Sequence, residues 1–222
     1  MANMAIVSGR LKWALLLVSA LLFSCGDESS PPCGPFSNYI YNIGSMAANI
    51  YEVPDGTDYP AIGRVEFAGS SIALSDLLLV LSAESVTYIA KATSPEFRQG
   101  WLIKSANACS PPLPYTDETI SDITITSNSD FNDMLPSGTV LNTLFLVEYI
   151  SEYPSLPTTL HELWPAPESL LDYVSRSPKS VAHLGLRLVE VPTSSPSHTF
   201  TITYTQSSGE TFEMTTPEIT FE

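Results

Sequence analysis

The stretch FTITYTQSSGETFEM, residues 200–214, carries the clearest structural signal in this chain. Apolar and threonine side chains alternate through its first half. Because successive side chains of a β-strand point to opposite faces, one face is expected to be apolar and the other polar. The central SSGE, residues 207–210, is typical of a hairpin turn. The stretch predicts an antiparallel hairpin with an apolar face of Phe200, Ile202, Tyr204, Phe212 and Met214.

Similar patterns occur upstream of this hairpin. Residues 120–126 (ISDITIT) alternate in the same way, and residues 86–90 (VTYIA) are β-branched and aromatic. The run at 77–81 (LLLVL) fits a buried strand better than a short helix capped by Ser75, and residues 140–150 fit either a strand or a helix. The chain is therefore predicted to be all-β and mainly antiparallel, as a single β-sandwich-like domain with one or two short helices.

Two short helices are predicted between the β segments. Thr159 and Glu162 have the spacing of a capping box, and Pro165 would end that helix. Pro167 sits at a first-turn position of the second helix, with Glu168 beside it and basic residues near its end. Its one-sided apolar stripe would be formed by Leu170, Leu171 and Val174.

The composition limits the classes of function. The chain has 222 residues with 24 acidic and 9 basic side chains, which gives a formal net charge of −15. A charged fraction of 15% and an aromatic fraction of 10% argue against intrinsic disorder. A molecule this acidic repels phosphate backbones, so we expect no nucleic-acid partner.

The N-terminus has the pattern of an export signal. Arg10 and Lys12 precede an apolar run at 13–23, which is shorter than the roughly 20 residues that a membrane-spanning helix needs. The following LFSCG, residues 22–26, resembles the bacterial lipobox, in which the cysteine is lipidated and the chain is cut before it. The resemblance implies lipidation at Cys25 and membrane attachment through the N-terminal lipid. Ordinary secretion and an uncleaved anchor remain alternatives.

This resemblance divides the chain into a signal peptide at 1–24, a lipid-anchored tether at 25–37 and the β-sandwich-like domain at 38–222. Asp27 and Glu28, directly after CysGly, resemble the export signal of Bacteroidetes surface lipoproteins. That similarity implies the outer membrane, with exposure on the cell surface as the favoured orientation.

A wider resemblance involves residues 108–112 (ACSPP), 120–131 and 141–145 (LNTLF) together with Gly138. In these stretches the chain is similar to an uncharacterised family of Bacteroidetes lipoproteins of about this length. The alternating C-terminal hairpin is similar too. The family has no known activity, so the resemblance implies an envelope location and no particular reaction.

The two other cysteines are Cys33 and Cys109. If Cys25 carries a lipid, an even pair remains in an oxidising compartment, and this predicts a Cys33–Cys109 disulfide. Two buried free thiols are the alternative. The spacing of cysteines and histidines does not match a zinc site.

A search for catalytic patterns yields no catalytic residue, metal ligand set or cofactor motif. His161 starts like a zincin helix but lacks the second histidine, and His183 and His198 are expected on the surface or at strand ends. Asp130 and Asp133 lie in an oxygen-rich loop that lacks the central glycine and closing glutamate of an EF-hand.

One segment is a candidate recognition surface. Tyr149, Tyr153 and Trp164 lie among prolines, and aromatic side chains on such loops can stack on sugars or anchor a partner protein. Packing of these side chains at the edge of the sandwich is the alternative, and it is the favoured interpretation. Because the N-terminus has a clear export signal and no catalytic pattern is found, we expect a non-catalytic binding or interaction module with a glycan or envelope-protein partner. A lipid-anchored glycan or peptide hydrolase using carboxylates is the alternative, and a purely structural envelope component is a third.

Overall fold

A computed structural model describes residues 38–53, 65–69, 71–91, 114–151 and 166–222. All of them belong to one compact unit formed by Ser37–Thr93 and Pro112–Glu222. The strands are β1 Asn38–Glu52, β2 Val65–Glu66, β3 Ser71–Ile72, β4 Leu77–Lys91, β5 Ile120–Ser127, β6 Phe145–Ser151, β7 Glu168–Ser169, β8 His183–Leu188, β9 Ser197–His198, β10 Phe200–Gln206, β11 Thr211–Thr215 and β12 Ile219–Phe221. The α-helix α1 spans Leu170–Ser175, and short 3-10 helices cover Leu74–Asp76 and Asn142–Leu144.

The strands form three sheets. The largest has the order β2-β1-β4-β8-β6-β7, the second β11-β10-β5 and the third β3-β12-β9. Strands β12 and β3 pair in parallel, and the other pairs between these strands are antiparallel. The predicted all-β, mainly antiparallel, sandwich-like fold is confirmed.

The C-terminal hairpin forms as predicted. Strand β10 pairs with β11 from Thr201↔Thr215 to Thr205↔Thr211, and its other edge pairs with β5. Buried and partly exposed residues alternate along β10. The turn contains Gly209 with a φ of 86°, a left-handed conformation that glycine adopts without strain. The apolar face of this sheet and one face of the six-stranded sheet meet in a single core.

Strand β4 explains the ambiguous leucine run. Leu77, Leu79 and Leu81 point into the main core, whereas Leu78 and Val80 join Val53 in a second apolar cluster. Because both faces of the strand are buried here, the sequence loses the polar–apolar alternation that marks a half-exposed strand. The preference for a strand at 77–81 is confirmed.

The sequence of residues 140–150 fitted either a helix or a strand, and the structure contains both: a short 3-10 helix is followed directly by strand β6. The buried side chain of Asn142 connects this region to β5. Its Nδ2 donates to the Ile123 carbonyl at 2.5 Å, and its Oδ1 accepts from the Ile125 N–H at 2.9 Å. The side-chain amide thus forms hydrogen bonds with backbone groups of β5 that would otherwise need a neighbouring strand as partner.

The helix α1 begins three residues later than Pro167. Ser169 is its N-cap, and Glu168 pairs with Val147 in β7 instead of entering the helix. The predicted apolar stripe is partly wrong, because Leu170 and Tyr173 are buried while Leu171 is 47% exposed. Spacing of three residues on a short helix places Tyr173, and not Leu171, on the face of Leu170. The predicted helix at 159–165 lies outside the described residues.

Candidate functional site

The predicted site residues fall into two groups. Cys25, Cys33, Cys109, Tyr153 and Trp164 lie outside the described residues, so the lipidation site, the disulfide and most of the aromatic segment stay predictions.

Tyr149 lies within the structure, and its side chain is 0% exposed, so the favoured packing interpretation is confirmed for this residue and the recognition surface does not include it. It packs over Gly185 on the neighbouring strand β8, where an added Cβ would lie 2.7 Å from the Tyr149 Cβ. The glycine leaves room for the tyrosine on that face of the sheet.

His198 lies at the end of β9, so the strand-end alternative predicted for it is confirmed, and its side chain is fully buried. Its ring stacks on Phe200 and contacts Phe131 and Phe221 edge-on or tilted. Its Nε2 donates to the Ser195 carbonyl at 2.8 Å, so Nδ1 is the acceptor for the Ser127 hydroxyl at 2.7 Å. Burial lowers the pKa of this imidazole. The Ser127–His198 pair is closed to solvent, so its geometry suits a structural role.

His183 is buried as well, with 4% exposure, and it is the first residue of β8, which confirms the strand-end alternative and not the surface one. It lies in a row across three strands, between Ser82 of β4 and Ser151 of β6. Its Nδ1 is 3.1 Å from the Ser82 Oγ. The row marks the position where β4 stops pairing with β8.

Glu148 is the only acidic residue that is buried in the described ranges. It occupies the bulge between Val147 and Tyr149, and its Oε1 accepts from the Arg187 Nε at 2.6 Å. Arg187 also donates to the Ser75 carbonyl. The carboxylate is buried against an arginine and is poorly placed to reach a substrate, so this geometry does not favour the hydrolase alternative.

The loop of Asp130 and Asp133 is rich in oxygen ligands, but no metal site was predicted there. Asp130 Oδ1 accepts the Ser137 N–H at 2.8 Å, and Asp133 is exposed. Among the residues that the structure describes, no group of three or more histidine, cysteine or acidic side chains is arranged to hold a metal ion.

Within the part of the chain that the structure describes, the exposed surface with the most aromatic character lies at the end of β1 and β4. Tyr39, Tyr88, Ile89 and Tyr115, named here the tyrosine ridge, are 44%, 50%, 45% and 38% exposed. Strand β4 pairs with β8 only from Leu79 to Ser82, whereas β1 pairs with β4 as far as Asn38↔Lys91. The two strands therefore continue past β8 as a ribbon that carries Tyr39, Tyr88 and Ile89, while Tyr115 lies beside the ribbon.

The ribbon end is braced by a third segment of the chain. Tyr115 donates its N–H to the Tyr39 carbonyl at 3.1 Å and accepts from the Tyr41 N–H at 2.9 Å. Below the ridge, Tyr41 is fully buried and its hydroxyl donates to the Ser180 carbonyl at 3.4 Å. These bonds fix β1 on both sides of Ile40.

Charged groups complete the brace. The Lys91 Nζ lies 2.8 Å from the Asp117 Oδ2 and 5.5 Å from the centroid of the Tyr115 ring. The hydrogen bond between Lys91 and Asp117 lowers the pKa of the Asp117 carboxyl and raises the pKa of Lys91. Both groups are therefore charged across the physiological pH range, and the pair is locally neutral.

The tyrosine ridge was not predicted from the sequence. A signal was available, since YIY at 39–41 and YI at 88–89 place large apolar side chains on both faces of their strands. Such strands are either buried on both faces, as at 77–81, or expose an apolar surface. The pattern does not distinguish the two, because burial depends on which other strands lie alongside.

No family model, curated protein or solved structure matches this chain. Within the described ranges, no helix combines the length and the hydrophobicity that crossing a membrane would require.

Proposed function

We propose that this protein is a lipid-anchored outer-membrane protein that binds a ligand through the tyrosine ridge and catalyses no reaction. The observation that carries the proposal is the exposure of Tyr39 and Tyr88 on a ribbon, and of Tyr115 beside it, which backbone hydrogen bonds and an ion pair hold in place. Exposed apolar side chains that cluster on a soluble domain commonly mark a binding site.

The rigidity of the ridge supports a binding role. A ligand that docks on side chains already fixed by their backbone loses less free energy to ordering of the protein. Tyrosine adds a large contact area with few rotatable bonds and a hydroxyl at its rim. In contrast, among the described residues Ser127, His198 and Glu148 are buried, with Ser127 hydrogen-bonded to His198 and Glu148 to the partly buried Arg187.

The anchor follows from the lipobox-like residues 22–26. Lipidation at Cys25 would attach the domain to its membrane, and two or more acyl chains are needed for stable attachment. A ligand that binds to the membrane-attached domain would therefore be held at the envelope.

The test is the binding of envelope material by the full-length lipoprotein in lipid vesicles. We expect the Tyr39→Ser/Tyr88→Ser double variant to bind about tenfold more weakly than the wild type, because both rings are lost from the ridge. Leu171→Ser is the matched control, since Leu171 is similarly exposed (47%) but lies on α1.

Both variants change exposed side chains, so thermal unfolding should stay near that of the wild type. Equal binding by the wild type and the ridge variant would contradict the proposal, as would a complete lack of binding by the wild type.

A further inference from the structure

The end of the β1–β4 ribbon lies next to the proposed membrane anchor. Asn38, the first residue of β1, pairs with Lys91, the last residue of β4, so both strands reach their outer end together. Residues 26–37 connect Cys25 to this end and span at most about 40 Å when fully extended. Tyr39 of the tyrosine ridge is therefore the first exposed aromatic residue of the described domain after the lipid proposed at Cys25.

The ridge presents large side chains on two sides. Tyr39 and Tyr88 lie on one face and Ile89 and Tyr115 on the other, because side chains alternate along a strand and Tyr115 forms its bridge with Ile40. All four side chains of the ridge are between 38% and 50% exposed. A partner that docks on one face would cover two of them, whereas a layer that surrounds the end of the ribbon would contact all four.

The charge at the end of the ribbon differs from that of the whole chain. Lys91 is the only charged residue within 38–42 and 85–91, and its Nζ lies 2.8 Å from the Asp117 Oδ2. This pair has no net charge, whereas the chain carries a formal charge of −15. An acidic protein is repelled by anionic lipid, so we expect the closest approach to a membrane through a neutral region and at zwitterionic headgroups.

From these observations we infer that the end of the ribbon contacts the zwitterionic headgroup layer of the membrane that carries the Cys25 lipid. Tyrosine is enriched at membrane interfaces, because its ring packs against apolar groups while its hydroxyl stays in water. The inference rests on the proposed function and names membrane lipid as the partner of the same site.

Leu171 provides a control position of similar exposure far from the end of the ribbon. It lies two residues after Ser169, which pairs with Leu146, and the next residue of β6 is connected through β8 to Leu79 of β4. Leu79 and Tyr88 are separated by nine residues of β4, or about 30 Å along the strand.

The experiment uses the full-length lipoprotein in phosphatidylcholine vesicles, with and without bromine atoms on the acyl chains near the headgroups. Tyr88→Trp, Ile89→Trp and Leu171→Trp each add one tryptophan, and the emission of the wild type is subtracted. All three variants change exposed side chains, so the fold should be retained. Because bromine quenches tryptophan only at contact, brominated lipid should quench the emission added by Tyr88→Trp and by Ile89→Trp. It should leave the emission added by Leu171→Trp unchanged.

Lipid charge provides a second readout. Replacing part of the phosphatidylcholine with anionic phosphatidylglycerol should weaken the quenching at low salt, because the acidic chain is repelled. Raising the salt concentration to about 0.5 M should restore it, since the Debye length then falls below about 8 Å. Stronger quenching with the anionic lipid at low salt would overturn the inference.

Three other results separate the possible occupants of the ridge. Equal quenching in all three variants would show that the domain moves freely on its tether, and quenching in Tyr88→Trp or Ile89→Trp alone would show a one-sided contact; either result would overturn the inference. No quenching, combined with binding of delipidated envelope material that the Tyr39→Ser/Tyr88→Ser variant loses, would overturn lipid as the partner and leave the proposed function in place. The absence of both effects would contradict the proposed function as well.

Discussion

Tyr39 and Tyr41 show how position within one strand decides the role of a residue. They lie two residues apart on the same face of β1, yet Tyr39 is 44% exposed and Tyr41 is fully buried. Both residues lie opposite parts of β4 that extend beyond its pairing with β8. Tyr41 still packs in the main core, where its hydroxyl donates to the Ser180 carbonyl, whereas Tyr39 lies further out along the strand. Tyr204 is another tyrosine that is buried in the core, and its burial raises the pKa of its hydroxyl to about 12.

His198 makes the stability of the domain depend on pH. Burial lowers its pKa below the ordinary value of 6.5, so the unfolded chain takes up a proton more readily than the folded one. The stabilisation is complete above pH 6.5 and is lost as the pH falls from there through the pKa of the folded state. We expect the free energy of unfolding in urea to fall between pH 7.5 and 5.5.

His198→Gln tests this assignment. Gln keeps a donor and an acceptor but takes up no proton, so part of the pH dependence between 7.5 and 5.5 should disappear. At pH 7.5 the variant should be less stable by about 1–3 kcal/mol, because the bonds to Ser127 and Ser195 are disturbed in a buried site. Equal slopes in the wild type and the variant would assign the pH dependence to other groups. Asp117 and Glu118 influence the free energy of unfolding at lower pH than His198, because their pKa values are lowered.

At the level of elements, α1 depends on its N-cap. The Ser169 Oγ accepts from the Asp172 N–H at 3.1 Å and donates to the Asp172 Oδ2 at 2.7 Å. Ser169→Ala should therefore lower the free energy of unfolding by about 0.5–2 kcal/mol. Ser175→Ala is the control within the same helix, and we expect a change below about 0.5 kcal/mol because its exposed hydroxyl bonds only the Asp172 carbonyl. Equal losses in urea unfolding would show that the cap contributes nothing specific.

Two elements show why helix and strand were hard to separate in this sequence. Residues 77–81 and 140–150 are both rich in leucine and lack a clear period. In the structure, β4 is buried on two faces, and β6 begins only after a 3-10 helix that the Asn142 side chain fixes to β5. Each outcome depends on a partner distant in sequence, so the local pattern is the same for both structures.

At the level of the whole molecule, the anchor and the disulfide can be tested in one measurement. The intact mass of the membrane-extracted protein should equal that of residues 25–222 plus acyl chains. A gain of two hydrogen atoms on reduction would reveal the Cys33–Cys109 bond, which closes a long loop and is expected to stabilise the domain by up to about 4 kcal/mol.

The control is Cys25→Ser, which should carry no lipid and leave the membrane fraction. An unlipidated wild-type mass that begins near Leu21 would contradict the anchor and identify a secreted protein. Such a result would remove the membrane attachment from the proposed function but would leave the tyrosine ridge in place.

The sequence by itself determined the fold class, the C-terminal hairpin and the inward face of β10, because strand alternation is a local property with a period of two residues. Only the tertiary structure decided which aromatic and ionisable side chains are accessible. Tyr149 is covered because it packs over Gly185, and His198 is enclosed by phenylalanines from distant parts of the chain. Tyr39 and Tyr88 stay exposed on a ribbon that the distant Tyr115 braces. Burial depends on contacts between residues far apart in sequence, and no local pattern encodes them.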